Sequence, residues 1–233
     1  MPPPPPIPPR GRTRPPELPR LGLAEAAASL ARGGVVIFPT ETLYAIGCRA
    51  DKALACARIC AIKGRPEGSP LPLLAADREQ AARTVRLEGA PERLLAAFWP
   101  GPLSLLLPAL PGVAREARNG AGFAALRVTS HPLAARLAAL AGFALTASSA
   151  NFSGGTPAAR VEELDAALLA ALDRSGDEVG LLAADAPEDE PHGGAPSTLA
   201  QPLAGPEGFA LRLFREGAVN AKDLAAAGFP VLK

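Results

Sequence analysis

Four short polar stretches hold the residues with which this chain could do chemistry, and each follows or adjoins an apolar run. Pro39-Thr40-Glu41-Thr42-Leu43-Tyr44 presents two hydroxyls, a carboxylate and a phenol directly after Val35-Val36-Ile37-Phe38. Lys63-Gly64-Arg65-Pro66-Glu67-Gly68-Ser69-Pro70 sets an ammonium and a guanidinium two residues apart at an expected helix end. Cations there complement the negative end of the helix dipole, which by itself would account for them. They would equally make an anion cradle, lysine as point charge and arginine as bidentate fork, with glycine letting the backbone come close. Thr146-Ala147-Ser148-Ser149-Ala150-Asn151-Phe152-Ser153-Gly154-Gly155 supplies hydroxyls and an amide that both donate and accept, suited to a phosphate or carboxylate, or to an ordinary Asx/Ser turn. Ser197-Thr198 and Arg215, just before Gly217, complete the set. With no general base in sight, lysine, arginine, hydroxyls and amide suit electrostatic positioning of a phosphoanhydride with a metal ion, which asks little proton transfer of the protein.

Other chemistries are poorly served. His131 precedes Pro132 at a helix start and His192 lies in a Pro/Gly loop, so neither has an evident nucleophile to activate and both read as structural or solvated. Cys48, Cys56 and Cys60 cannot all pair; they read as small buried residues of a reducing cytosol, and no zinc-ligand spacing occurs. A Walker loop is absent, and Gly120-Ala121-Gly122-Phe123-Ala124-Ala125 fits G-x-G-x-x-A but runs into a strand instead of opening a helix. The 24 basic and 23 acidic residues leave a net charge of +1, which excludes a global pull toward nucleic acid or membrane and leaves room only for a local patch. With aromatics at 4%, a base-stacking platform is disfavoured.

The elements that must position these loops alternate. Residues 1–20 hold ten of the 27 prolines and four arginines with little apolar surface, and read as a disordered or polyproline tail without a signal-peptide core. Beyond it the pattern predicts a helix over 22–32, a strand at 35–38, a helix capped by Asp51 and running to Lys63, and a short strand at 71–76. Asp77 opens the next helix and Pro91 another over 91–98; strands follow at 103–107 and 123–128, a helix capped by Ser130 to 141, a strand at 143–147 and a helix over 161–173. Strands at 179–184, 197–200 and 209–213 close the series. Pro72 and Pro108 argue against central positions throughout their segments. No stretch approaches the roughly 18 apolar residues of a membrane span. The alternation argues an α/β or α+β domain with a mixed sheet whose loops carry the chemistry.

Gly-Gly-x-x-x-x-Pro-Thr-Glu-Thr-x-Tyr, the Lys-Gly-Arg-Pro segment, Trp-Pro-Gly-Pro, Leu-Arg-Val-Thr-x-His-Pro and Ser-Ser-Ala-Asn-x-Ser-Gly occur in one order that resembles the YrdC/TsaC family of threonylcarbamoyl-AMP synthases over about residues 21–217. The resemblance implies an α/β fold of YrdC/RibB type, a twisted mixed sheet with flanking helices around a concave, positively lined cavity. It places a catalytic domain at 21–217 and a C-terminal helix and tail at 218–233. It implies L-threonine, bicarbonate or CO2, and ATP with Mg²⁺ as reactants, a tRNA or double-stranded RNA contact, a downstream t6A transferase complex, a cytoplasmic location and no membrane. The family's catalytic tetrad falls on Lys63, Arg65, Ser149 and Asn151. ATP-contacting positions fall on Lys63, Arg65, Ser69, Ser149 and Arg215, and threonine-contacting ones on Thr42, Arg127 and Ser197, with Arg127 suited to the carboxylate. Ser69, Leu74, Pro196 and Glu216 depart from the residues common at their positions, Leu74 replacing a threonine-binding histidine of the longer members. Two other outcomes stay open: a paralogue acting as a double-stranded RNA or ribosome-binding module, and a relative that uses carbamoyl phosphate.

Overall fold

The computed structural model of this chain describes residues 18–175, 178–184, 186, 189–205 and 208–232. Most of the expected proline-rich tail therefore lies outside the described residues. Its last part is not tail: Leu18 is buried, and Arg20 bridges Leu181 with Pro19 and Leu21 bonded to the same residue. The chain then alternates. Helix α1 (Leu23–Arg32) ends on Gly33 in the left-handed conformation and leads into β1 (Val35–Phe38) and β2 (Ala45–Gly47). Helix α2 (Ala53–Lys63), β3 (Leu73–Ala75), α3 (Arg78–Ala82), α4 (Glu92–Phe98), β4 (Leu103–Pro108), β5 (Phe123–Val128) and α5 (Pro132–Ala141) follow. Next come β6 (Leu145–Thr146), β7 (Ser148–Ser149), α6 (Ala166–Asp173), β8 (Val179–Leu181), β9 (Thr198–Gly205), β10 (Gly208–Arg215), α7 (Ala221–Ala226) and β11 (Val231–Leu232).

In place of one mixed sheet there are two among the described residues, ordered β7-β2-β1-β8 and β11-β10-β9-β4-β5-β3-β6, each with parallel and antiparallel pairs. Period-two alternation explains how β1 can be buried throughout. Val35 and Ile37 join the larger core with Ile46, Ile59 and Leu105, while Val36 and Phe38 join a second core with Leu30 of α1 and Leu137 of α5. A strand covered on both faces reads as an uninterrupted apolar run, which is what Val35–Phe38 is. Pro108 closes β4, an inner strand, and Pro72 lies just before β3, so neither proline takes a ladder hydrogen bond from mid-strand. The remaining C-terminal segment adds β11 alongside β10 in parallel register.

Two expected caps differ. Lys52, whose side chain has no acceptor, is the N-cap of α2, and the Asp51 carboxylate is engaged instead by Arg49 through Nε at 3.0 Å and Nη2 at 2.5 Å. His131, not Ser130, caps α5, its Nδ1 accepting from the Ala134 amide at 3.3 Å while Nε2 lies 2.9 Å from the Asp189 carbonyl. This histidine is buried and its pKa is lowered, chiefly by burial, so it stays neutral. Cys48 and Cys56 are buried free thiols whose sulfurs touch at 3.5 Å. None of the described helices is long and apolar enough to cross a membrane.

Candidate functional site

The chain leaves one sheet and enters the other within five residues: β6 pairs with β3, Ala147 turns, and β7 pairs with β2. At this crossing lies a cavity of about 110 Å³ bordered by Thr42, Arg65, Arg127, Ser149, Ser197 and Arg215, brought from six separate places in the sequence. Pro72, Ala147 and Pro196 form part of its apolar wall.

Each charged group is held by a different device. Gly64 sits at φ 59° and ψ 40°, a left-handed cap that lets its own amide and that of Arg65 close on the carbonyls of Ala61 and Cys60. A Cβ there would meet no protein atom within 4 Å, so within the fold glycine is needed for its conformation. Turned back by this cap, Arg65 donates from Nε to Ser69 O at 2.6 Å and from Nη2 to Pro70 O at 2.7 Å, with Nη1 3.4 Å from Ser148 Oγ. Arg127, on an inner strand, is buried and donates from Nε to Glu41 Oε1 at 2.8 Å, while Glu41 Oε2 accepts from the Thr129 hydroxyl at 2.6 Å. Burial alone would raise the Glu41 carboxyl, yet Arg127 and Thr129 hold it below the usual carboxylate range. Arg215 ends β10 after a register shift and donates from Nε and Nη2 to Ser197 O at 3.0 and 2.8 Å. Gly217 makes that docking possible: a Cβ on it would lie 2.1 Å from Pro196 O.

The hydroxyls are ordered around the same space. Thr42 Oγ1 lies 3.2 Å from Thr40 Oγ1, and Thr40 donates to Leu43 O at 2.7 Å in a local turn. Ser197 Oγ is 3.1 Å from Ser104 Oγ, which the sequence reading missed; its one signal is a hydroxyl inside the apolar strand Leu103–Leu107. Glu41 and Ser148 lie in stretches singled out from sequence, though without individual roles.

Lys63, Asn151 and Ser69 are not among the residues bordering this cavity. Lys63 is buried behind it, donating from Nζ to Ser149 O at 2.5 Å and to Asn151 O, so it ties the third polar stretch to the end of α2. Burial and the neighbouring Arg65 cation pull its ammonium down to about 8. Asn151 donates from Nδ2 to the carbonyls of Phe152 and Gly155 at 2.7 and 2.8 Å, and its Oδ1 is buried with no partner among the described residues. Ser69 borders a second cavity of about 420 Å³, with Arg115, Arg118 and Asn119, and Arg65 borders both. Of the departing residues, Leu74 sits beside Arg127 in the strand register and is buried in the second core, and Glu216 Oε1 accepts from the Ala221 amide.

Three guanidiniums facing one small space repel one another. The pKa of Arg215 is lowered by burial and then by Arg127 and Arg65, and that of Arg65 by burial. Arginine stays protonated regardless, so a bound anion, and not proton loss, would offset this repulsion. Among the described residues, no acidic one borders the first cavity. The arrangement can bind and orient a carboxylate or phosphate and stabilise charge that develops on it.

The family model Sua5_yciO_yrdC, described as telomere recombination, matches residues 28–208. A threonylcarbamoyl-AMP synthase of Halorhodospira halophila is 44% identical over 60% of this chain and 73% of its own length, and one of Stenotrophomonas maltophilia is 38% identical over 72% and 92%. The crystal structure of P. abyssi Sua5 complexed with L-threonine superposes with a TM-score of 0.74 at 28% identity, covering 90% of this chain and 58% of that one. The chain thus spans under two thirds of the P. abyssi protein.

Proposed function

Since the chain belongs to the Sua5/YciO/YrdC family, we propose that it is an L-threonylcarbamoyladenylate synthase, a nucleotidyltransferase that forms threonylcarbamoyl-AMP and pyrophosphate from L-threonine, bicarbonate or CO2, and ATP. The observation that carries this reading is the convergence of Arg65, Arg127 and Arg215 with Thr42, Ser149 and Ser197 on one cavity that no carboxylate of the described residues borders. The threonine amine takes up bicarbonate carbon with loss of water to give a carbamate. A carbamate oxygen then attacks the α-phosphorus of ATP, and the bond to the β-phosphate bridging oxygen breaks to release pyrophosphate.

Arg127 takes the amino-acid carboxylate, because its Nη groups find no partner among the described residues while Nε is fixed. Thr42 and Ser197 flank the same substrate. The first cavity suits an amino acid in size; a nucleotide needs the several hundred Å³ typical of cofactor sites. Arg65 borders both cavities, so the phosphates lie across it, with Ser149 and Arg215 on one side and Ser69 on the other. Lys63 and Asn151 act from behind by fixing the Ser149 backbone. Mg²⁺ enters with ATP as part of that substrate. The product is consumed by a partner transferase that modifies tRNA adenosine-37, and we place the reaction in the cytoplasm.

The test is pyrophosphate release from ATP, Mg²⁺ and bicarbonate, with and without L-threonine. Release that depends on threonine and bicarbonate together is expected; release indifferent to threonine refutes the assignment.

A further inference from the structure

Among the described residues, Glu41 is the one carboxylate bonded to the cationic cluster, yet it does not border the cavity. It is 6% exposed. Both of its oxygens are engaged, Oε1 by Arg127 Nε at 2.8 Å and Oε2 by the Thr129 hydroxyl at 2.6 Å. Thr129 Oγ1 in turn accepts from the His131 amide at 3.1 Å at the start of α5, so the carboxylate is fixed from β5 and from the turn that follows. A carboxylate and a guanidinium so buried cannot separate without leaving an uncompensated charge. The guanidinium is planar, so a bond at Nε sets the direction of the two Nη groups.

We propose that Glu41 is a positioning residue for the amino-acid substrate. By holding Arg127 at Nε it aims the Nη fork into the cavity, and so sets affinity for a substrate carboxylate without touching the substrate itself. This rests on the reading that Arg127 receives the threonine carboxylate. Arg65 and Arg215 are held by backbone carbonyls instead, Arg65 by Ser69 and Pro70 and Arg215 by Ser197, so nucleotide affinity is independent of Glu41. A staple that merely joined the β1–β2 connection to β5 would lower stability and weaken both substrates alike.

The experiment is threonine-dependent pyrophosphate release with each substrate varied in turn, for the wild-type chain, Glu41→Gln, Arg127→Met and the double variant, with thermal melts alongside. Glutamine keeps the volume and one acceptor but loses the charge. Its KM for L-threonine should rise about tenfold while that for ATP stays within about twofold, the signature of lost uniform binding to one substrate. Arg127→Met should raise the threonine KM more, and adding Glu41→Gln to it should change nothing further, because a residue acting only through Arg127 has no effect once Arg127 is gone. An additive rise in the double variant, an equal rise for both substrates, or an unchanged threonine KM in Glu41→Gln overturns the proposal. If Glu41→Gln folds poorly, Arg127→Lys carries the test: lysine keeps the charge but cannot bond Glu41 and face the cavity together, so the threonine KM alone should rise. Wild-type turnover that ignores threonine overturns the parent reading and this one with it, whereas threonine-dependent turnover with an indifferent Glu41→Gln overturns this one only.

Discussion

Arg65 and Lys63 are two residues apart and do different work. Arg65 faces both cavities while bonded to two backbone carbonyls, a geometry that a lysine cannot reproduce. Arg65→Lys should therefore lower kcat/KM for ATP by about a hundredfold while leaving the threonine KM within a few-fold, as read from pyrophosphate release. Lys63 points inward, and its protonation is tied to folding. Its folded pKa is about 8 against an ordinary 10.5. Between those values the unfolded chain binds more protons than the folded one, so stability gains from this residue as pH rises. The stability advantage of wild type over Lys63→Met, from urea denaturation, should accordingly widen from pH 8 towards 10.5; a narrowing would show that the carbonyls of Ser149 and Asn151 hold the ammonium charged.

At the scale of elements, two glycines decide where the cations go. Gly64 must take a left-handed conformation for α2 to end with Lys63 inside and Arg65 turned to the cavity. Gly64→Ala should cost about 1 kcal/mol by denaturation and lower ATP-dependent turnover with it. Gly217 has no such φ but no room either, and Gly217→Ala should force apart the 196–197 and 215–217 segments. Overpacking of this kind typically costs about 1–3 kcal/mol, and here it should also raise the ATP KM, since Arg215 docks on Ser197 through that contact.

For the whole molecule, the site exists only where two sheets and several connections meet, so ligands that fill it should stabilise the entire fold. At about a hundred times its Kd, L-threonine should add about 2.7 kcal/mol, which for a chain of this size is a rise in Tm of roughly 5–11 °C. L-serine, lacking one methyl, should bind about 1–3 kcal/mol more weakly. Calorimetric melts with either amino acid test both statements, and equal shifts would argue that the methyl group meets no surface.

Sequence alone determined the long and strongly patterned features. The uninterrupted apolar run of β1, the glycine closing α1, the span of β5 and the polar stretches beside strands were all legible, because burial on two faces and capping leave local residue patterns. Strands β2, β7 and β11 were not, since two or three residues hold no period and owe their conformation to a neighbour's free edge. Asp51 and Ser130 looked like caps, but Lys52 and His131 stand at those positions, with the Asp51 carboxylate taken by Arg49 and the His131 ring held at the Asp189 carbonyl. The same holds for the site. Thr42, Arg65, Ser149, Ser197 and Arg215 lie in stretches nameable from residue type and order, and Arg127 was named by the family resemblance, but which of them face a common space, and that Lys63 and Asn151 stand behind it, depends on side-chain direction. That direction is fixed by partners up to 93 residues away, as the Ser197 hydroxyl against that of Ser104 shows, and only the folded chain brings those partners together.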